Sequence, residues 1–134
     1  MRHTGKPGKQ GFTFVEVMTA LALLAVLVVI AWGKFNQSYE KALRATLMSD
    51  IRNLATAQEL YYRLHMYYAN DISLVDIDPS PKSTIHITEA HNLGWSGWNE
   101  IERTTEKCEM YVGKNVTSSL GLANTSEKIF CGEP

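Results

Sequence analysis

The sequence predicts an α+β chain in which one long N-terminal helix packs on a small antiparallel β-sheet, and three observations predict it. From Phe12 to Trp32 the residues FTFVEVMTALALLAVLVVIAW form an apolar run of 21 with a single charge, Glu16. From Lys34 to Ala69 neither proline nor glycine occurs, and apolar residues return with helical spacing. Beyond Pro79 and Pro81 the pattern changes to alternation, as in Thr84-Ile85-His86-Ile87-Thr88 and Cys108-Glu109-Met110-Tyr111-Val112. A helical period followed by a strand period places helix and sheet in separate parts of one chain.

The first element is long enough to span a bilayer as a helix, which needs about 20 apolar residues. Arg2, Lys6 and Lys9 precede it with no acidic company, so the positive-inside rule keeps this basic leader cytoplasmic and sends the remainder outward. A secretory signal would be cut after the apolar stretch at small residues, and Ala31-Trp32-Gly33 is a poor version of that pattern. An uncleaved signal anchor is the plainer alternative. It leaves Glu16 unexplained, because an acidic side chain within a membrane helix costs about 2.5–3.5 kcal/mol.

Gly11-Phe12-Thr13-Phe14-Val15-Glu16-Val17-Met18, after a short basic leader and before an apolar run, resembles the type IV prepilin signature. The resemblance implies that a prepilin peptidase cuts after Gly11 and methylates the new N-terminal amine, leaving N-methyl-Phe12. It implies further that the Glu16 carboxylate pairs with the Phe12 ammonium of a neighbouring subunit as the helix passes from bilayer to filament. An unpaired carboxylate in a low-dielectric setting is penalised, while a paired one is attracted strongly to an ammonium. Many relatives carry a proline after the apolar run, where this chain has Ala31-Trp32-Gly33-Lys34. Any kink here would rely on Gly33, which weakens a helix by about 1 kcal/mol but keeps its N–H.

The second stretch extends the helix to Ala69, about 85 Å in all at about 1.5 Å per residue. Leu43, Leu47, Ile51, Leu54, Tyr61 and Tyr68 form its apolar stripe, interrupted by Gln58 and His65, with Lys41, Arg44, Arg52, Glu59 and Arg63 largely opposite. Glu40 with Arg44 and Glu59 with Arg63 add favourable i to i+4 pairs. A striped helix buries against a domain, whereas the all-round apolar half needs lipid or copies of itself. The phrase Asp50-Ile51-Arg52-Asn53-Leu54-Ala55-Thr56-Ala57-Gln58-Glu59 also resembles the corresponding helix of many bacterial pilins. Tyr61, Tyr62, Tyr67 and Tyr68 read as core-packing aromatics rather than a conducting stack, Trp32, Phe35 and Tyr39 as markers of the bilayer interface, and His65 as a residue near the core.

Asn70 to Ser83 reads as a connecting loop. Its Asp76-Ile77-Asp78 is too sparse for a calcium site. Strands are expected over Thr84–Thr88, Trp95–Thr104 and Cys108–Val112, with a short piece at Ile129-Phe130-Cys131, as an antiparallel meander across the amphipathic helix. Cys108 and Cys131 are the two cysteines, too far apart for C-x-x-C metal chemistry. Exported, they form one disulfide worth about 3 kcal/mol; in a cytosolic protein they would be two buried thiols. The bridge would close a polar loop, Gly113 to Lys128, the analogue of the variable surface region of pilins. His86 and His91 lack a third ligand, and the N-x-S/T triplets at Asn36, Asn115 and Asn124 are common by chance.

At 134 residues with 45% hydrophobic composition, the chain has room for one domain. Without its first eleven residues it holds ten basic residues against fourteen acidic ones, a net of −4, a poor match for nucleic acid. No catalytic triad, carboxylate pair or phosphate-binding glycine loop stands in a convincing context, so neither enzymatic activity nor a cofactor or metal is expected. The expected organisation is a cleaved leader at 1–11, a hydrophobic transmembrane and assembly helix at 12–33, an amphipathic helix at 34–69 and a β-sheet domain at 70–134. The resemblance implies an inner-membrane precursor with a periplasmic C-terminal domain, partnered by prepilin peptidase, assembly machinery and further copies of itself in an extracellular filament. The expected function is a type IV pilus subunit serving adhesion, twitching motility or DNA uptake. A pseudopilin of a type II secretion system has the same architecture, and a periplasmic enzyme or binding domain on an uncleaved anchor is the competitor from another class.

Overall fold

The computed structural model of the chain describes residues 11–134, so the expected leader lies outside the described residues except for Gly11. Its elements run α1 (Phe14–His65), a short 3₁₀ turn (Ile72–Leu74), β1 (Ser83–His91), β2 (Gly94–Ile101), β3 (Lys107–Gly113) and β4 (Phe130–Gly132). Helix α1 contributes its first part to one compact unit, which ends at Gln37, and its remainder to a second, Ser38–Pro134.

In the first unit every residue from Gly11 to Gln37 is exposed. The helix is unbroken through Gly33, so the position expected to weaken it leaves no gap in its hydrogen-bond ladder.

In the second unit Leu47, Ile51 and Leu54 are completely buried, as the i, i+4, i+7 stripe requires. Burying such a side chain stabilises the fold by about 1.5–3 kcal/mol. The helix stops at His65 rather than at Ala69 because Met66 takes a left-handed conformation, φ 63°. The Met66 N–H still donates to the Tyr62 carbonyl at 2.8 Å, an end of the αL type. The chain then doubles back, and Gln58, which breaks the apolar stripe, finds its role there. Its amide donates to the Ala69 carbonyl and accepts from the Ala69 N–H, both at 2.8 Å in a buried setting. A buried amide satisfied on both sides carries little penalty.

The four strands pair antiparallel in the order β1-β2-β3-β4, the expected meander. The middle strand ends at Ile101 instead of reaching Thr104. Ile85, Asn99, Cys108 and Cys131 lie opposite one another across the sheet, and Asn99 donates to the Leu47 carbonyl of α1 at 3.0 Å. Gly97 permits a close approach of helix and sheet. A Cβ there would stand 3.1 Å from Leu54 Cδ2 and 2.9 Å from the His86 carbonyl oxygen. A disulfide joins Cys108 to Cys131 and secures β4, which is only three residues long.

The polar segment between β3 and β4 lies largely at the surface, with two apolar anchors. Val116 and Ala123 are buried. Glu109, on the face of β3 opposite Cys108, is also buried and accepts hydrogen bonds from the Ser118 hydroxyl and from the Leu120 and Ala123 N–H groups. Burial pushes its carboxyl up, but those donors together with the Leu122 N–H outweigh burial and hold it below the usual carboxylate range.

Candidate functional site

Gly11, Phe12 and Thr13 precede the helix in non-helical, fully exposed chain. The Gly11–Phe12 peptide bond therefore lies outside the helix.

The first turn of α1 is built around Thr13 and Glu16. The Thr13 carbonyl accepts from Val17 N–H at 3.2 Å and its hydroxyl accepts from Glu16 N–H at 3.3 Å, which makes Thr13 the N-cap. Glu16 reaches back, and its Oε2 accepts from Thr13 N–H at 3.1 Å and from the Thr13 hydroxyl at 3.2 Å. This reciprocal arrangement is a capping box, and the negative charge also suits the positive end of the helix dipole. Sequence reasoning leaves Glu16 isolated in an apolar span and misses Thr13 as its partner. The signal is present nonetheless: a threonine three residues before a glutamate, ahead of an apolar run, is the capping-box pattern.

Thr19 follows the same logic, its hydroxyl donating to the Glu16 carbonyl at 2.9 Å. The polar side chains from Thr13 to Trp32 are Thr13, Glu16 and Thr19, and each is hydrogen-bonded within the helix start. Around them Phe14, Leu21, Leu24, Val28 and Ile30 are each more than half exposed. The helix is long and apolar enough, by length and composition, to cross a membrane. A surface that hides its few polar groups and exposes apolar side chains on all sides can be covered only by lipid or by other apolar helices.

The remaining expected sites lie in the second unit. Tyr68 is buried and Tyr61 and Tyr62 pack half-buried against the core, but Tyr67, expected to pack there too, is exposed; Tyr62 stacks on Tyr68 with ring centroids 4.6 Å apart and Tyr61 meets Tyr67 edge-on at 5.7 Å. Tyr68 is pushed up to about 12 by burial and by its hydrogen bond to Glu59. His65, expected near the core, is exposed instead and stacks on Tyr61 at 4.0 Å, because the helix ends there. His86 stacks on Trp98 at 4.1 Å and lies 3.4 Å from Glu100, while His91 holds the β1–β2 turn by accepting from Leu93 N–H. Among the described residues no three His, Cys, Asp or Glu side chains converge on a common point.

Residues 6–32 match the family model described as the prokaryotic N-terminal methylation motif, and the sheet-bearing remainder of the chain lies outside that match. The comparison with curated proteins gives no match. The matched segment contains the Gly11–Phe12 junction, the Thr13–Glu16 box and the apolar run in a single stretch. The chain therefore carries the N-terminal methylation motif characteristic of type IV pilins and pseudopilins, on an α+β pilin-like fold.

Proposed function

We propose that this chain is a structural, non-catalytic subunit of a type IV pilus, cut after Gly11, N-methylated on Phe12 and polymerised through its N-terminal helix. The observation that carries this reading is the 12–32 segment, apolar on every side, exposed along its whole length and polar only where its own first turn satisfies the polar groups. Such a helix rests in the inner membrane as a precursor and passes into a filament by exchanging lipid for copies of itself. Removal of 1–11 frees an ammonium on Phe12, and Glu16 of an adjacent subunit receives it. Residues 12–33 then act as the membrane and assembly segment, and 34–69 as the helix that carries the sheet domain of 70–134 into the periplasm and onto the filament surface. The disulfide-closed loop after β3 supports a surface role in adhesion, twitching motility or DNA uptake.

Intact-mass measurement of the mature protein tests the processing. A product that starts at Phe12 and carries one added methyl group is expected, and an intact Met1 or a start near Lys34 refutes the reading. Imaging surface filaments and assaying secretion in a deletion strain tests the assignment to a pilus. Loss of filaments with secretion intact is expected, while loss of secretion with normal pili assigns the chain to a type II secretion pseudopilus instead.

A further inference from the structure

Glu16 poses a problem that the proposed ion pair solves only after assembly. Before a neighbour arrives, its carboxylate stands in the same apolar segment without that neighbour's ammonium. The capping box meets this need. Thr13 supplies two donors, its backbone N–H at 3.1 Å and its hydroxyl at 3.2 Å, and both go to the same oxygen, Oε2. Among the described residues no hydrogen bond is formed to Oε1.

We propose that Thr13 is a positioning residue for subunit assembly: it holds the Glu16 carboxylate by Oε2, keeping the charge satisfied within the precursor, and leaves Oε1 to receive the Phe12 ammonium of a second copy. This rests on the filament reading of the chain. A hydrogen bond to a carboxylate is stronger than one between neutral groups, so the box also fixes the rotamer of a side chain that would otherwise search several. Incoming charge then meets a prepositioned acceptor and does not have to displace the bonds already made. Thr13 touches no part of the incoming subunit and acts through Glu16.

The test uses the full chain expressed in a host that processes and assembles it. Incorporation is read as the share of mature subunits, those beginning at Phe12 by intact mass, found in sheared filaments rather than in membranes. Counting only mature subunits removes any effect of the substitution on cleavage. Thr13→Val, which removes the hydroxyl at nearly constant volume, is expected to lower incorporation about threefold to tenfold, the range set by a lost cap and its paired hydrogen bond. Thr13→Ser, which retains the hydroxyl, is expected to stay within about twofold of the parent. Thr13→Gly separates positioning from mere capping. Glycine caps a helix about as well as threonine does, but it has no side-chain donor to give Oε2, so it is expected to behave like Thr13→Val. Wild-type incorporation of Thr13→Val beside a defective Glu16→Ala overturns the positioning role alone. Equal incorporation of Thr13→Gly and Thr13→Ser reduces Thr13 to a cap and overturns it as well. Normal incorporation of Glu16→Ala overturns both the ion pair and the role assigned to Thr13.

Discussion

Glu109→Gln removes one charge from the carboxylate that fastens the segment between β3 and β4, and the structure sets the size of the effect. Oε1 takes the Ser118 hydroxyl and the Ala123 N–H, and Oε2 takes the Leu120 N–H at 2.7 Å. A glutamine can keep its oxygen toward the first two donors, but its NH₂ group then faces the Leu120 N–H. One hydrogen bond to a charged acceptor, worth about 1.5–3 kcal/mol, is lost, and a backbone donor is left without a partner. Two neutral bonds replace two charge-assisted ones as well. We expect a cost of about 3 kcal/mol, which at a urea dependence of about 1.5 kcal/mol per molar lowers the unfolding midpoint by about 2 M. The assay is urea unfolding of the full chain in detergent micelles, followed by the fluorescence of buried Trp95, with hydrogen exchange resolving 114–128. A midpoint shift below about 0.3 M with unchanged exchange there refutes the reasoning. The pH dependence carries the same sign: the Glu109 carboxyl is held below its usual value of 4.5. Its contribution is therefore present above that value and lost as pH falls below it, so the loop should keep its protection to moderately acidic pH.

Three further outcomes are expected in the second unit. Gln58→Leu should destabilise it by about 2–4 kcal/mol, because both backbone groups of Ala69 lose their 2.8 Å partners in a buried setting; an unchanged urea midpoint excludes this. Replacing Cys131 with serine should cost about 3 kcal/mol under oxidising conditions and raise exchange at Phe130 without altering the length of the mature product, and equal stability of variant and parent removes the bridge as a stabilising element. Tyr68, raised to about 12 by burial first and Glu59 second, contributes stability that is whole below pH 10, the ordinary tyrosine value, and is lost as pH rises toward 12; ultraviolet titration should show a tyrosine step near pH 12, and Tyr68→Phe should reduce its amplitude.

Much of the fold is legible in the residues because the two periods are local. The stripe through Leu47, Ile51 and Leu54 marks the buried face of α1, and alternation marks Ile85, Ile87, Cys108, Met110 and Val112 as one face of the sheet. The end of the helix is not legible, since nothing in Tyr62-Arg63-Leu64-His65-Met66 breaks a helix; the left-handed turn at Met66 is held by the return of Ala69 onto Gln58. At the N-terminal site the motif is readable and its internal chemistry only half so. Glu16 stands out as a charge in an apolar run, while its partner three residues away does not, because a threonine beside an apolar segment carries no charge to mark it.

The N-terminal methylation motif, the apolar helix, the helix-then-sheet order and the cysteines available for a bridge are all readable from the residues alone, because each depends on chemistry contained within a short window. Which polar residues of the sheet-bearing unit become structural depends on the packing of distant segments. Gln58 reaches Ala69 across 11 positions, Glu109 gathers Ser118, Leu120 and Ala123 across 9 to 14, and Asn99 reaches Leu47 across 52. A buried polar side chain is tolerated only where donors and acceptors from elsewhere in the chain meet it. Those meetings are set by the packing of α1 on the sheet, and no local pattern encodes them.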